Sequence, residues 1–226
     1  MTIAGKGVLA FWHDVAPGGE AEFDQWHLRE HIPERVGVPG FLRCRRYVTL
    51  SEPPKYFYFY ETESLDTLQS PAYLARLGDP TPWTKKTLPL VRNNKRTACR
   101  VVASIGPGLG GVIATLELGP RAGHEEELRA WLTATALPTA AQHPGVVAGH
   151  LLEGDAGVST AAKSDEKKLL ATPDALVRWV VLVEGIDAPA VEGTCRDLLS
   201  TETLARRGAT DDVALGFYRL QVVFGK

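Results

Sequence analysis

Cysteine is scarce in this 226-residue chain: Cys44, Cys99 and Cys195 are odd in number and widely spaced. That pattern excludes a disulfide framework or a zinc knuckle and leaves reduced thiols, as expected of a cytoplasmic protein. Net charge is small as well, at -2, so no bulk charge recommends nucleic acid or an acidic membrane surface as a partner. Long hydrophobic runs are missing. The opening MTIAGKGVLAFWHD is interrupted by His13 and Asp14, and no run approaches the roughly 20 apolar residues of a membrane helix. There is no P-loop, no G-x-G-x-x-G after a strand, no G-x-S-x-G and no C-x-x-C. Nucleotide, flavin and nicotinamide chemistry therefore has no support, and no organic cofactor is expected. What remains is a globular composition, 44% hydrophobic and 23% charged, long enough to bury a substantial core.

The chain carries one motif twice. At a constant offset of 105, Glu20, Glu22, Phe23, Trp26 and Pro33 fall on Glu125, Glu127, Leu128, Trp131 and Pro138, and Pro39-Gly40-Phe41 falls on Pro144-Gly145-Val146. Tryptophan occurs only five times, so a matched Trp with a matched Pro and Pro-Gly marks an internal repeat. The glycine-rich stretch 106–111 is a connector by composition. The expected division is residues 1–107, a first unit holding the active site, and 108–226, a degenerate structural unit. Periodicity gives each unit the order βαββαβ: strands near 8–15, 42–50, 55–63 and 97–105 with helices near 19–36 and 65–77, then strands near 112–118, 146–152, 177–185 and 216–224 with helices near 124–142 and 188–207. The fold class is thus α+β, two ferredoxin-like units packed sheet to sheet as an intramolecular α+β barrel. Glu61 matches Glu184 at an offset of 123, which leaves 18 more residues in the second unit's polar segment 153–174, read as mobile. The first unit keeps 11 extra residues around 79–94.

The stretch FDQWHLREHIPERVGVPGF, residues 23–41, concentrates the chemistry. On a helix, Phe23, Trp26, His27 and Glu30 share a face with His31 at its edge, and Pro33 predicts an end or kink. The second unit has Leu132, Thr135 and Ala136 at the His27, Glu30 and His31 positions, and Leu118 at that of His13. Titratable groups on a packing face cost stability unless partnered, so this face is expected to line a pocket. An imidazole oriented by Glu30 can take a proton from a phenol, an enol or a carbon beside a carbonyl, with a second histidine as acid or oxyanion partner. Arg43, Arg45 and Arg46, and the cations between 79 and 117, offer charge for an anionic substrate. Tyr56, Tyr58 and Tyr60 form one row of a strand and Phe57 and Phe59 the other. The string His27-Leu28-Arg29-Glu30-His31 also matches H-x-x-E-H, so the alternative is a zinc hydrolase or lyase with metal ligands His27 and His31 and a third from His13, Glu61 or Glu63.

The pattern Phe23-x-x-Trp26-x-x-x-Glu30-His31-x-Pro33, followed by Val38-Pro39-Gly40-Phe41 and Arg45-Arg46-Tyr47, resembles the EthD-like branch of the dimeric α+β barrel superfamily. That superfamily also holds antibiotic-biosynthesis monooxygenases, muconolactone isomerases and polyketide cyclases. The resemblance implies substrate bound near the first helix and His31 as the leading site residue, with His27 beside it. The combined expectation is an isomerase, cyclase, lyase or monooxygenase acting by acid–base chemistry on a small aromatic or enolisable compound, anionic ones included. His31, His27, Glu30 and His13 would be catalytic, and Arg45, Trp12, Trp26 and Tyr58 would contact substrate. A homodimer with a second copy of the chain is a further option among partners. Haem stands beside zinc as the alternative cofactor, and a stress-responsive barrel that only binds its ligand is the non-catalytic alternative.

Overall fold

The computed structural model describes residues 3–161, 164–171 and 174–225. Eight strands close into one antiparallel barrel in the order β1-β3-β2-β8-β5-β7-β6-β4. The first unit supplies β1 (Gly7–Val15), β2 (Phe41–Thr49), β3 (Tyr56–Thr62) and β4 (Val91–Ile105), and the second β5 (Val112–Leu118), β6 (Val146–Gly154), β7 (Trp179–Gly185) and β8 (Ala214–Gly225). Pairing of β2 with β8 and of β4 with β6 joins the two sheets, so neither keeps a free edge. Both fourth strands begin earlier than the pattern suggested. β4 begins six residues earlier than expected, because its first half lies along β1 while its second half lies along β6.

The first helix of each unit runs through its proline instead of ending there. α1 (Glu20–Trp26) continues through a π-turn, His27–His31, into α2 (Ile32–Gly37), and α5 (Glu125–Trp131) through Leu132–Ala136 into α6 (Leu137–Ala140). The Ile32 amide donates to the His27 carbonyl, and the Leu137 amide to that of Leu132. Pro33 and Pro138 follow directly. A proline ring crowds the carbonyl four residues before it, and one wider turn relieves the clash without breaking the helix. Each unit then turns at Gly40 (φ 86°) or Gly145 (φ 80°) into its second strand, a left-handed conformation that glycine adopts at little cost.

Strand alternation sorts the core into an interior and two outer layers. Trp12, Tyr47, Phe57, Phe59, Leu182 and Tyr218 fill the barrel. Between the second sheet and its helices α5, α6, α8 (Ala188–Leu198) and α9 (Thr201–Arg206) lies one continuous apolar cluster. The corresponding layer of the first unit is split into two clusters, one around Phe41, Tyr60 and Tyr73 and one around Phe23, Trp26 and Leu88. His13, His27 and His31 sit at the break. Both places where the units differ in length lie against this layer. α3 (Pro71–Gly78) is followed by α4 (Pro82–Thr87), which packs beside α1, with Trp83 Nε1 donating to Glu22 at 2.8 Å. The segment expected to be mobile carries α7 (Ala156–Ala161), whose Ser159 hydroxyl accepts from the Ala98 amide at 2.9 Å. Its described part is docked on the first unit through buried polar contacts; residues 162–163 and 172–173 lie outside the described residues.

Candidate functional site

A cavity of about 60 Å³ opens between the first sheet and its helices, walled by Phe11, Phe23, Trp26, Tyr58, Tyr60 and Tyr73, with His31 and Arg35 on the helix side. Arg96 of β4 and Glu166, Lys167 and Asp174 of the second unit complete it. Three of the expected site residues, His31, Trp26 and Tyr58, therefore meet at one space. Trp26 is held there by its indole, which donates to the Thr84 hydroxyl at 3.1 Å.

His31 is 6% exposed, lies against Trp26 with the ring centres 4.4 Å apart and the planes tilted by 35°, and has Nδ1 buried 3.8 Å from a carboxylate oxygen of Glu166. Nε2 is then the nitrogen available to a molecule in the cavity. Burial, with the Arg35 charge adding to it, holds the imidazole well below its usual pKa. The carboxylate at 3.8 Å does not offset this, because it is beyond hydrogen-bond reach and committed to Arg35. Arg35 Nη2 donates to both Glu166 oxygens at 2.6 Å. This buried ion pair ties the cover segment to α2 one turn beyond His31.

His27 and His13 stand behind the cavity wall. His27 is fully buried, 4.4 Å from the Tyr58 ring and 5.6 Å from His31, and neither of its nitrogens has a hydrogen-bond partner among the described residues. His13 donates from Nδ1 to the Asp14 carbonyl at 3.0 Å, and its Nε2 is unpartnered among the described residues. Burial lowers the His13 pKa to about 4 and that of His27 well below the ordinary value, with the Arg46 charge contributing to both. The three imidazoles are thus neutral at physiological pH. This corrects the expectation that one of them is the acid: neutral histidines are bases, and a proton donor must come from elsewhere. Burial raises the Tyr58 phenol well above its ordinary pKa, which keeps it protonated and able to donate.

Three further expectations are corrected. Glu30 does not orient His27; its carboxylate accepts from the Thr81 hydroxyl at 2.6 Å and the Thr84 hydroxyl at 3.3 Å. The π-turn is the cause, since with more residues per turn the i+3 position swings away from His27 while i+4 stays near. Trp12 points into the barrel, where its indole donates to Thr115 at 3.2 Å and stacks on Phe57. Arg45 is also interior, donating to Glu61 at 2.6 Å and to Glu184 at 2.7 Å, with His150 Nε2 2.9 Å from the same Glu184 oxygen. It joins the two units and does not line the cavity at His31. Its neighbour Arg46 faces the helices instead, paired with Asp24 and stacked over Phe23 and Tyr56.

For the zinc alternative, His27 and His31 find no third ligand: among the described residues no group of three His, Cys, Asp or Glu side chains is placed to hold a metal. No described helix is long and apolar enough to cross a membrane.

No family model matches the chain, and no curated protein matches it. Among solved structures it is similar to an anthrone oxidase-like protein at 12% identity, covering 97% of this chain and 92% of that one with a TM-score of 0.64. It is similar to a proposed monooxygenase from Fusobacterium nucleatum at 10% identity, 99% and 96% coverage and a TM-score of 0.62. A heme-binding protein from Thermus thermophilus matches at 12% identity, 98% and 93% coverage and a TM-score of 0.52. At such identities the likeness is one of fold, and the fold is the ferredoxin-like α+β barrel. The last match overturns the expectation that no cofactor is used, because the same barrel serves a heme-binding protein. The space in this chain does not fit haem, however. Pockets for drug-sized ligands run to roughly 300–1,000 Å³, several times the cavity of about 60 Å³, and the Arg35–Glu166 pair holds the cover across it.

Arg35, Arg96, Glu166 and Lys167 were not singled out from the sequence as site residues. Arg35 follows His31 by four positions on the same helix, which was a readable signal. The others were visible only as members of the cation-rich stretch and of the longer segment in the second unit.

Proposed function

We propose that the chain is an enzyme performing acid–base chemistry on a small aromatic or enolisable compound, with neutral His31 as the base and Tyr58 as hydrogen-bond donor. One observation carries this reading: an imidazole unprotonated at neutral pH, with its far nitrogen beside a buried carboxylate, faces a cavity walled by aromatic rings. His31 Nε2 accepts a proton from a phenol or from a carbon beside a carbonyl. The resulting imidazolium is costly in so buried a place, since the Glu166 carboxylate 3.8 Å away is committed to Arg35, so the proton is passed on to the product and not held on the ring. Tyr58, kept protonated by burial, donates to the oxygen on which the enolate charge develops. An aromatic ring fits a dry cavity of roughly 150 Å³, so binding requires the cover to shift by a modest volume.

The similarity to proteins named as a proposed monooxygenase and as anthrone oxidase-like supports an oxygenase-type outcome, since an enolate is the electron-rich form that reacts with dioxygen. The EthD-like resemblance singles out the same residue through its Glu30-His31-x-Pro33 context. His27 and His13 form the layer behind it, and burial, with the Arg46 charge adding to it, keeps that layer uncharged.

The test is solvent deuterium exchange at the benzylic carbon of phenylpyruvate, followed by NMR with oxygen uptake recorded in parallel. Wild-type protein should accelerate exchange, and His31→Ala should lose about a hundredfold or more while keeping its circular dichroism, because the second unit accommodates Ala136 at 3% exposure in the same turn. A folded His31→Ala protein with undiminished exchange overturns the reading, as does a wild type no faster than buffer. An unfolded variant would make His31 structural.

A further inference from the structure

Two cations in the cavity wall converge on one backbone oxygen. Arg96 Nη1 and Lys167 Nζ each lie 3.0 Å from the carbonyl of Ser159. Arg96 is 6% exposed, and its contact with the Tyr73 hydroxyl is a long one, 3.5 Å from Nη2. Neither cation forms an ion pair with a carboxylate among the described residues. The other charged groups of the wall are already committed, Glu166 to Arg35 and Asp174 to the Asn94 amide at 2.6 Å. Three cations therefore face two carboxylates around a small space, while His31 is neutral.

The plainer explanation is that the pair caps the C-terminal end of α7. That helix has six residues, and a full helix dipole is equivalent to only about half a charge, too little to balance two positive groups. Buried cations are ordinarily paired, and Arg96 is buried; beside it the half-buried Lys167 has its pKa lowered by burial and then by the Arg96 charge, against the raising influence of Asp174.

We infer that Arg96 and Lys167 form an anion subsite and that the substrate is a carboxylate-bearing aromatic or enolisable compound. This rests on the reading of His31 as base and names the class of molecule it acts on. The planar guanidinium of Arg96 offers two donors to a planar carboxylate, and Lys167 approaches from the cover segment. The second unit thus supplies substrate recognition to the cavity of the first.

The test is calorimetric binding of phenylpyruvate and of its methyl ester to wild type, Arg96→Gln, Lys167→Met and His31→Ala. Wild type should bind the acid about tenfold or more tighter than the ester, and each cation variant should lose most of that preference. Lys167→Met leaves the sheet untouched and remains informative if Arg96→Gln fails to fold. Equal affinity for acid and ester in wild type, or no binding of the acid, overturns the inference. The two readings fail separately. Charge-selective binding that persists in a protein without deuterium exchange keeps the subsite and removes the base, whereas exchange that is equally fast for acid and ester keeps the base and removes the subsite.

Discussion

His27 is the residue whose replacement should improve the fold. Its imidazole is 0% exposed and packed against Phe23 at 5.0 Å and Tyr58 at 4.4 Å, with both nitrogens buried and unpartnered. Each buried polar atom left without a hydrogen bond costs about 1–3 kcal/mol. Leucine removes both atoms, and Leu132 already fills the equivalent place in the second unit's π-turn with no exposure. Allowing about 1 kcal/mol for imperfect repacking, His27→Leu should stabilise the protein by about 1–5 kcal/mol. In a chain of this size each kcal/mol moves the melting temperature by roughly 2–4 °C. Differential scanning calorimetry near neutral pH should therefore show a clear rise in Tm, confirmed by a higher urea midpoint at unchanged slope. A loss of more than about 1 kcal/mol would refute the reasoning, because the imidazole would then be a satisfied structural group.

Acid should weaken the fold through the same layer. Above pH 6.5 these histidines are neutral whether the chain is folded or not and give no slope. Below it the unfolded imidazoles take up protons that the folded ones refuse, so stability falls as pH drops toward the folded pKa, about 4 for His13. Over that window His13 alone accounts for about 3 kcal/mol, and urea unfolding of His13→Leu, matching Leu118, should show a flatter acid limb; an unchanged limb contradicts the assignment. Glu166→Gln leaves Arg35 buried against only Glu34 at 3.3 Å, a loss of about 3–5 kcal/mol if the cover stayed in place. The cover should release instead, so amides of 156–161 and 164–171 should exchange with deuterium at least about tenfold faster while β3 is unchanged. Unaltered exchange would mean that the ion pair does not hold the segment.

The barrel was legible because a repeat states its packing rules twice: Trp26 with Trp131, Pro33 with Pro138 and Gly40 with Gly145 mark the same helix and turn in both units. The place of His31 at the cavity was expected from its contrast with Ala136 in the second unit; Trp26, matched by Trp131, offered no such contrast, and Tyr58 was marked only by the alternation of its strand. Trp12 and Arg45 were misplaced although strand parity spoke against them. Adjacent residues face opposite ways, so Trp12 could not share a pocket with His13, nor Arg45 with Arg46. The expected convergence of two histidines with Arg45 on one cavity accordingly reduced to His31 alone. Glu30 was misassigned because α-helical spacing was applied across a turn that Pro33 widens. The Arg35–Glu166 pair joins positions 131 apart, and no local pattern announces that the second unit's longer connection closes the first unit's cavity.

Two neighbouring histidines are assigned different functions, and comparing them is the most direct test of the base. Phenylpyruvate exchange should be measured in His31→Ala and His27→Leu under the same conditions, with folding verified for both. His31→Ala is predicted to lose exchange by about a hundredfold or more, while His27→Leu retains most of it in a more stable protein. Loss of exchange in His27→Leu with activity preserved in His31→Ala would contradict the assignment.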